Sequence, residues 1–403
     1  MPIPTPFHSR TSALCESYEW RNWSGYLSAG LYEPSHEREY YAVRNSAALF
    51  DVSPLFKYEI TGPDAARLVN RIITRDINKC AVGQVYYTPW CDEAGKVIDD
   101  GTVSRLGDNH FRITSADPSL FWFGDCAYGM DVTLTDVSAD LAALALQGPN
   151  ARKILKEFIK GVDLDNLKYF RLAEGKFDRH PLTITRTGYT GDLGYELWVA
   201  PRHAERLWDM LMDKGHDYGI TPAGIIALDI VRVEAGLLLI EVDYISAHKA
   251  LIEAQTSSPF ELGLGWAVAL DKGDFVGRRA LLAEKKNGSK WAFVGLDIDW
   301  PALEKLYGVV GLTPRLAGRT SRVAVPVYNK SGKQIGQATS TTFSPILKKY
   351  IALATLESRY AALGTPVNME VTVEYSRKQT PATVVKLPFF EPERKKNNVM
   401  RSA

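Results

Sequence analysis

The sequence predicts an α+β fold, on three observations. A strand–turn–helix device occurs twice, helices and strands mix without strict alternation, and the last quarter recurs in short β-rich runs without helical patterns. The first copy of the device is Lys57-Tyr58-Glu59-Ile60-Thr61-Gly62-Pro63-Asp64-Ala65, followed by Leu68, Val69, Ile72 and Ile73 at helical spacing. The second is Leu144-Ala145-Leu146-Gln147-Gly148-Pro149-Asn150-Ala151, followed by Ile154, Leu155, Phe158 and Ile159 on one face. A proline early in the first turn suits both helix starts, because its missing N–H is one the helix cannot satisfy anyway.

Further helices are expected at Ala204 to Leu211 and at Ala223 to Glu234. Strands are expected at Val103 to Leu106, Phe111 to Ser115, Leu182 to Arg186 and Tyr195 to Val199. From Trp291 to Leu387 the short runs, divided by turn clusters such as Asn329-Lys330-Ser331-Gly332-Lys333, read as a small antiparallel barrel. The polar, basic end from Glu393 to Ala403 reads as a frayed tail.

Composition excludes several classes of function. The chain has 403 residues, 45% hydrophobic and 24% charged, and Lys plus Arg number 48 against 47 Asp plus Glu. Such a balance creates no field for polyanions or anionic lipid, so neither nucleic acid nor membrane is an expected partner. The longest apolar runs fall far short of the roughly 20 residues that cross a bilayer. The start, Met1-Pro2-Ile3-Pro4, has no basic segment followed by an apolar one, which makes the cytoplasm the expected location. Cys15, Cys80, Cys91 and Cys126 include no C-x-x-C pair, and the histidines are scattered singly, so no metal is expected. Neither a G-x-S-x-G elbow nor a Walker loop is present.

Three segments carry chemistry. In Thr187-Gly188-Tyr189-Thr190-Gly191-Asp192-Leu193-Gly194-Tyr195-Glu196 the glycines do not form G-x-G-x-x-G, and a strand follows, which argues against a dinucleotide. Along that strand Glu196 and Trp198 share a face, either as an acceptor beside an aromatic wall or as a solvent-facing carboxylate. In Ala223 to Gly236, Arg232 falls on the apolar face of Ile225 and Leu228, and it needs a carboxylate from the chain or from a ligand. In Asp92-Glu93-Ala94-Gly95-Lys96-Val97-Ile98-Asp99-Asp100 the last two acids point to opposite faces of a strand, so only one can face a given pocket.

With these residues in view, the chain resembles the T-protein (aminomethyltransferase) family of the glycine cleavage system. The likeness runs through Leu49-Phe50-Asp51-Val52-Ser53, Ile60 to Ala65, Asp92 to Asp100, Leu146-Gln147-Gly148-Pro149, Gly188-Tyr189-Thr190-Gly191, Val231 to Gly236, Gly263-Leu264-Gly265-Trp266 and Ser344-Pro345-Ile346-Leu347-Lys348-Lys349, in the family's order. The resemblance implies a three-domain cloverleaf of the aminomethyltransferase type. Its first α/β domain is discontinuous, 1–52 plus 138–225, as is the second, 53–137 plus 226–284; a C-terminal antiparallel β-barrel at 285–390 and a tail at 391–403 follow. It also implies tetrahydrofolate as cofactor. Residue by residue, Asp100 matches the catalytic carboxylate, Glu196 the acid that recognises the pterin, and Tyr189 the tyrosine of that motif. Tyr87 and Trp266 match pocket aromatics, Arg232 the folate-binding arginine, and Leu55 a position where many relatives place methionine.

The family also contains tetrahydrofolate-dependent demethylases, including those acting on dimethylsulfoniopropionate. Asp51-Val52-Ser53-Pro54-Leu55 departs from the usual Asp-Val-Ser-His-Met, and Arg394 stands near the place of a C-terminal folate-contacting tyrosine. These departures favour a divergent member that moves a methyl group from a small onium or methoxy donor to N5 of tetrahydrofolate. Aminomethyl transfer from a lipoylated carrier protein is the second expectation, and a non-catalytic folate-binding regulatory protein the third. Lys272-Gly273-Asp274-Phe275-Val276-Gly277 lacks the cysteine of the folate-binding paralogues linked to iron–sulfur assembly, which argues against that role.

Overall fold

Gly62 and Gly148 occupy the same place in the repeated device, and the computed structural model shows why both are glycine. Each has a positive φ, 119° and 130°. A Cβ on Gly62 would lie 2.7 Å from the Asp131 carbonyl oxygen, and one on Gly148 2.7 Å from that of Ser46. Any side chain there would need both an unfavourable backbone and a displaced neighbour. The turns lead into helices Ala65–Ile72 and Ala151–Phe158. Ala65, Leu68, Val69 and Ile72 are buried on the first, and Ala151, Ile154, Leu155 and Phe158 on the second, as their spacing predicts.

The structure describes residues 1–315 and 318–397. They form two compact units, one of residues 1–88, 99–231 and the chain from Glu391, the other of 89–98 and 232–390. The first unit is built on a six-stranded sheet in the order Leu172–Phe177, His180–Thr185, Gly194–Val199, Ala142–Gln147, Ala47–Asp51, Ile220–Pro222. Neighbouring strands run antiparallel except the last pair, which is parallel. Ala142–Gln147 lies centrally and is buried along its whole length, packed with Ile154, Leu155 and Leu211 in one apolar core. A five-stranded sheet has the order Val85–Cys91, Val97–Gly107, His110–Ser115, Phe56–Thr61, Thr133–Asp136.

The second unit carries the expected barrel, closed by Trp291–Ile298, Lys349–Glu357, Gln334–Ser344, Val325–Tyr328, Pro366–Val373 and Ser376–Val385 in that order. Closure pairs every strand edge, so no ladder is left open. The absence of helix after residue 285 does not hold. Trp300–Gly308 is helical, started by Asp299, whose side chain accepts from the Ala302 N–H at 3.0 Å, with Pro301 in the first turn. Only Leu303 of this helix is buried, so it has almost no apolar periodicity to read.

The frayed tail is also corrected for the residues described. Glu393–Lys395 forms a turn of 3-10 helix, and 391–397 cluster with the first unit; the rest of the expected tail, 398–403, lies outside the described residues. None of the four cysteines is in a disulfide, and all are buried. Among the described residues no helix is long and apolar enough to cross a membrane, and no cluster of three or more His, Cys, Asp or Glu could hold a metal.

Candidate functional site

Strand alternation sends Asp99 and Asp100 to opposite faces, and their surroundings divide the labour. Asp99 is fully buried and accepts three backbone N–H bonds, from Asp100 at 2.7 Å, Asp117 at 3.0 Å and Ala116 at 3.2 Å. Burial, then the adjacent Asp100 charge, pushes its carboxyl well above the usual range, which the backbone donors oppose. Such a group fixes the loop after His110–Ser115. Asp100 keeps partial exposure, and the Tyr87 hydroxyl donates to its Oδ2 at 2.6 Å.

Burial first, and the Asp100 charge next, hold the Tyr87 phenol well above its ordinary value, so it remains a donor at neutral pH. The Tyr189 phenol is close enough to add to that effect. Tyr87, Asp100 and Tyr189 therefore share one neighbourhood of the first unit: a carboxylate with a fixed donor, beside aromatic rings.

Glu196 lies in Gly194–Val199, directly opposite Thr185 on one neighbouring strand and Ala145 on the other. Its Oε2 accepts from Thr187 at 2.8 Å and Thr185 at 3.3 Å, and the two hydroxyls are 2.6 Å apart. Among the described residues its Oε1 has no partner. Burial raises the carboxyl above the ordinary glutamate value while the two threonines oppose it. The Trp198 indole donates to Thr185 at 3.4 Å, which confirms the shared face. A carboxylate enclosed, clamped through one oxygen and open through the other is an acceptor set for incoming N–H groups, and the solvent-facing alternative does not describe it.

The glycine-rich turn is shaped by Gln147. This fully buried amide accepts from the Thr190 hydroxyl at 2.8 Å and donates to the carbonyls of Thr187 at 3.3 Å and Tyr195 at 3.5 Å. A Cβ on Gly188 or Gly194 would fall 2.1 Å from its Oε1. The two glycines admit the amide, and the amide sets the turn that bears Tyr189. Neither Gln147 nor the Thr185–Thr187 clamp was singled out from the sequence. The signals were available in the Leu-Gln-Gly-Pro motif and in two threonines at strand spacing.

Leu55 is half-buried beyond Pro54. In the preceding strand Asp51 accepts from the Thr5 hydroxyl at 2.6 Å and the Ser53 N–H at 3.0 Å, and burial raises its carboxyl. Trp23 of the aromatic N-terminal segment, Tyr32 and Asp51 line a cavity of about 20 Å³, room for a water molecule.

In the second unit Arg232 is fully buried at the end of Ile225–Glu234. The chain itself supplies the carboxylate it requires. Nη1 pairs with Asp243 and Nη2 donates to the Ser340 hydroxyl at 2.7 Å, while Asp243 also accepts from Thr339 at 2.6 Å, Ser340 at 2.7 Å and the Leu239 N–H at 2.9 Å. Trp266, in the short turn Gly265–Ala267, is 64% exposed.

Residues 7–272 match the GCVT N-terminal domain, and residues 308–391 the glycine cleavage T-protein C-terminal barrel domain. An aminomethyltransferase from Lysinibacillus sphaericus (strain C3-41) is 35% identical over 358 residues, covering 88% of this chain and 89% of that protein. A trimethylamine-oxide aldolase from Ruegeria pomeroyi is 34% identical over 98% of this chain, which spans only 48% of that longer relative. The crystal structure of the glycine cleavage system aminomethyltransferase T from Bartonella henselae superposes with a TM-score of 0.81 at 24% identity, over 97% of this chain and 99% of that one, a likeness of fold.

Proposed function

Because the chain belongs to the glycine cleavage T-protein family, we propose that it is a tetrahydrofolate-dependent demethylase, moving a methyl group from a small onium or methoxy donor to N5 of the folate. The observation that carries folate binding is the Glu196 carboxylate, clamped through Oε2 by Thr187 and Thr185. The amino-pyrimidinone edge of a pterin offers adjacent N–H donors that a carboxylate accepts in a fork, so the residues present fit the cofactor.

Bound tetrahydrofolate supplies the nitrogen that takes up the carbon. Glu196 binds and orients the ring, and Tyr189 walls it. Asp100 would hold the reacting nitrogen, accept its proton or balance a cationic donor, and Tyr87, donating to its Oδ2, would fix the direction of that carboxylate. A non-catalytic folate carrier has no need of the Tyr87–Asp100 pair. Leu55, Arg232 and Trp266 remain folate assignments of the resemblance, and they differ in kind: Trp266 is largely exposed, whereas Arg232 is buried in its ion pair with Asp243.

For the donor, support comes from Pro54-Leu55 in place of the usual His-Met, from Arg394 in place of the tyrosine, and from a relative over nearly the whole chain whose name specifies a small amine oxide. Aminomethyl transfer from a lipoylated carrier protein is the second reading, favoured by the relatives named aminomethyltransferase. The purified protein is incubated with tetrahydrofolate and a panel of onium and methoxy compounds, and separately with aminomethylated lipoyl carrier. Formation of 5-methyltetrahydrofolate from a small donor supports the first reading; 5,10-methylenetetrahydrofolate formed from the carrier alone replaces it with the second.

A further inference from the structure

Two arginines join the C-terminal segment to the glycine-rich turn, one reaching in each direction. Arg394 leaves the segment: its Nε donates to Asp192 Oδ1 at 2.6 Å, and its Nη2 to Asp192 Oδ2 at 2.8 Å and to the Arg44 carbonyl at 3.0 Å. This is a two-point fork on a carboxylate with no exposure of its own, which Arg44 approaches from within at 3.3 Å. Arg186 reaches out: its Nη2 donates to the carbonyls of Asn397 at 2.9 Å, Lys395 at 3.1 Å and Arg394 at 3.4 Å, while its Nη1 is anchored on the Leu167 carbonyl at 2.9 Å.

The landing points decide what this arrangement is for. Arg186 stands between Thr185 and Thr187, whose hydroxyls clamp Glu196. Asp192 closes the turn that carries Tyr189, accepts from the Leu193 N–H at 2.8 Å, and precedes Glu196 in the same chain segment. Arg44 joins the set by donating to the Thr190 carbonyl at 2.9 Å. The contacts of the tail thus fall on both backbone arms that hold Glu196. A basic run ordinarily stays hydrated; here the pairing of Arg394 with a buried, doubly approached carboxylate holds it down.

We propose that Arg394 is a positioning residue, which straps the C-terminal segment across the turn 187–196 and thereby holds Glu196 and Tyr189 in the arrangement that receives the folate. The proposal rests on the reading of Glu196 as the folate acceptor.

The test uses full-length Arg394→Ala, Arg394→Lys and Glu196→Gln proteins. It reads tetrahydrofolate affinity by titration, KM for folate against kcat, and hydrogen–deuterium exchange across 188–192. Arg394→Ala should weaken folate binding about tenfold. KM should rise in parallel, kcat at saturating folate should change by less than about twofold, and exchange at 188–192 should quicken. Arg394→Lys, which keeps the charge and loses the fork, should recover part of the affinity. Wild-type folate affinity in a folded Arg394→Ala protein overturns the strap. If that variant does not fold, wild-type affinity and exchange in Arg394→Lys overturn it instead. Unaltered folate affinity in Glu196→Gln, with exchange at 188–192 still governed by Arg394, sinks the folate reading and leaves the strap as architecture.

Discussion

The Tyr87 hydroxyl donates to Asp100 Oδ2 at 2.6 Å, while Asp99, one residue earlier, is sealed by three backbone N–H groups. Two adjacent acids thus have separate duties. Asp100→Ala should abolish turnover, with folate still bound at close to wild-type affinity. Asp99→Ala should instead unfold more easily, since it strands buried donors at about 1–3 kcal/mol each. Single-turnover assays and denaturant midpoints on both variants check the division; loss of activity without loss of stability in Asp99→Ala would reverse it.

Glu196→Gln should weaken tetrahydrofolate binding by about 2 kcal/mol, because a charge-assisted fork is replaced by an amide that offers one acceptor and an unwanted donor. Calorimetric titration measures this directly. Equal affinity would remove Glu196 from the site.

Folate affinity should also depend on pH through this group. Burial raises the Glu196 carboxyl above its ordinary 4.5, and only the ionised form accepts two N–H bonds. Affinity should be full well above the raised value and fall as acid is added, beginning at a higher pH than an exposed glutamate would give. The same group contributes to stability with the opposite sense. Its folded pKa exceeds its unfolded one, so the contribution is present below the unfolded value and is lost as pH rises through the folded value. In Glu196→Gln both dependences should flatten, and an unchanged acid limb would assign it to another group.

Gly194→Ala places a methyl group 2.1 Å from the Gln147 amide oxygen. Either the amide or the strand must move, so stability should fall by about 1–3 kcal/mol and folate affinity should fall with it. Shortening the side chain in the double variant Gly194→Ala/Gln147→Ala should restore part of the stability and none of the affinity. Thermal melts and folate titrations separate the two effects.

Arg232 and Asp243 are both excluded from solvent, and removing one strands the other. Asp243→Ala should cost about 3–5 kcal/mol in a denaturant titration. A cost below about 1 kcal/mol would show that the pair is hydrated.

Which parts of this were readable in the sequence follows from the range of the signals. The repeated device, the amphipathic helices and the barrel strands are written in local periodicity, and Glu196 and Trp198 share a face because strand alternation requires it. The choice of Asp100 over Asp99 came from resemblance; its physical cause, the donors of Ala116 and Asp117, lies on a loop 17 and 18 positions away. The sequence does not mark the partner of Arg232, because Asp243 comes back through an irregular loop that no period marks. The basic end hides its role for a similar reason. Its partner, Asp192, lies 202 positions earlier, and composition alone places arginines and lysines in water.

That last pairing bears on the order in which the molecule is made. Residues 232–390 leave the ribosome before Arg394 exists, so the first unit must wait through the synthesis of the whole barrel before its buried Asp192 gains a second cation. Until then Arg44 alone neutralises that carboxylate, and the turn around Glu196 is one contact short of its finished form. The finished form of the turn around Glu196 thereby depends on the segment that follows residue 390, so a product interrupted before Arg394 would carry the acid without the brace that steadies it.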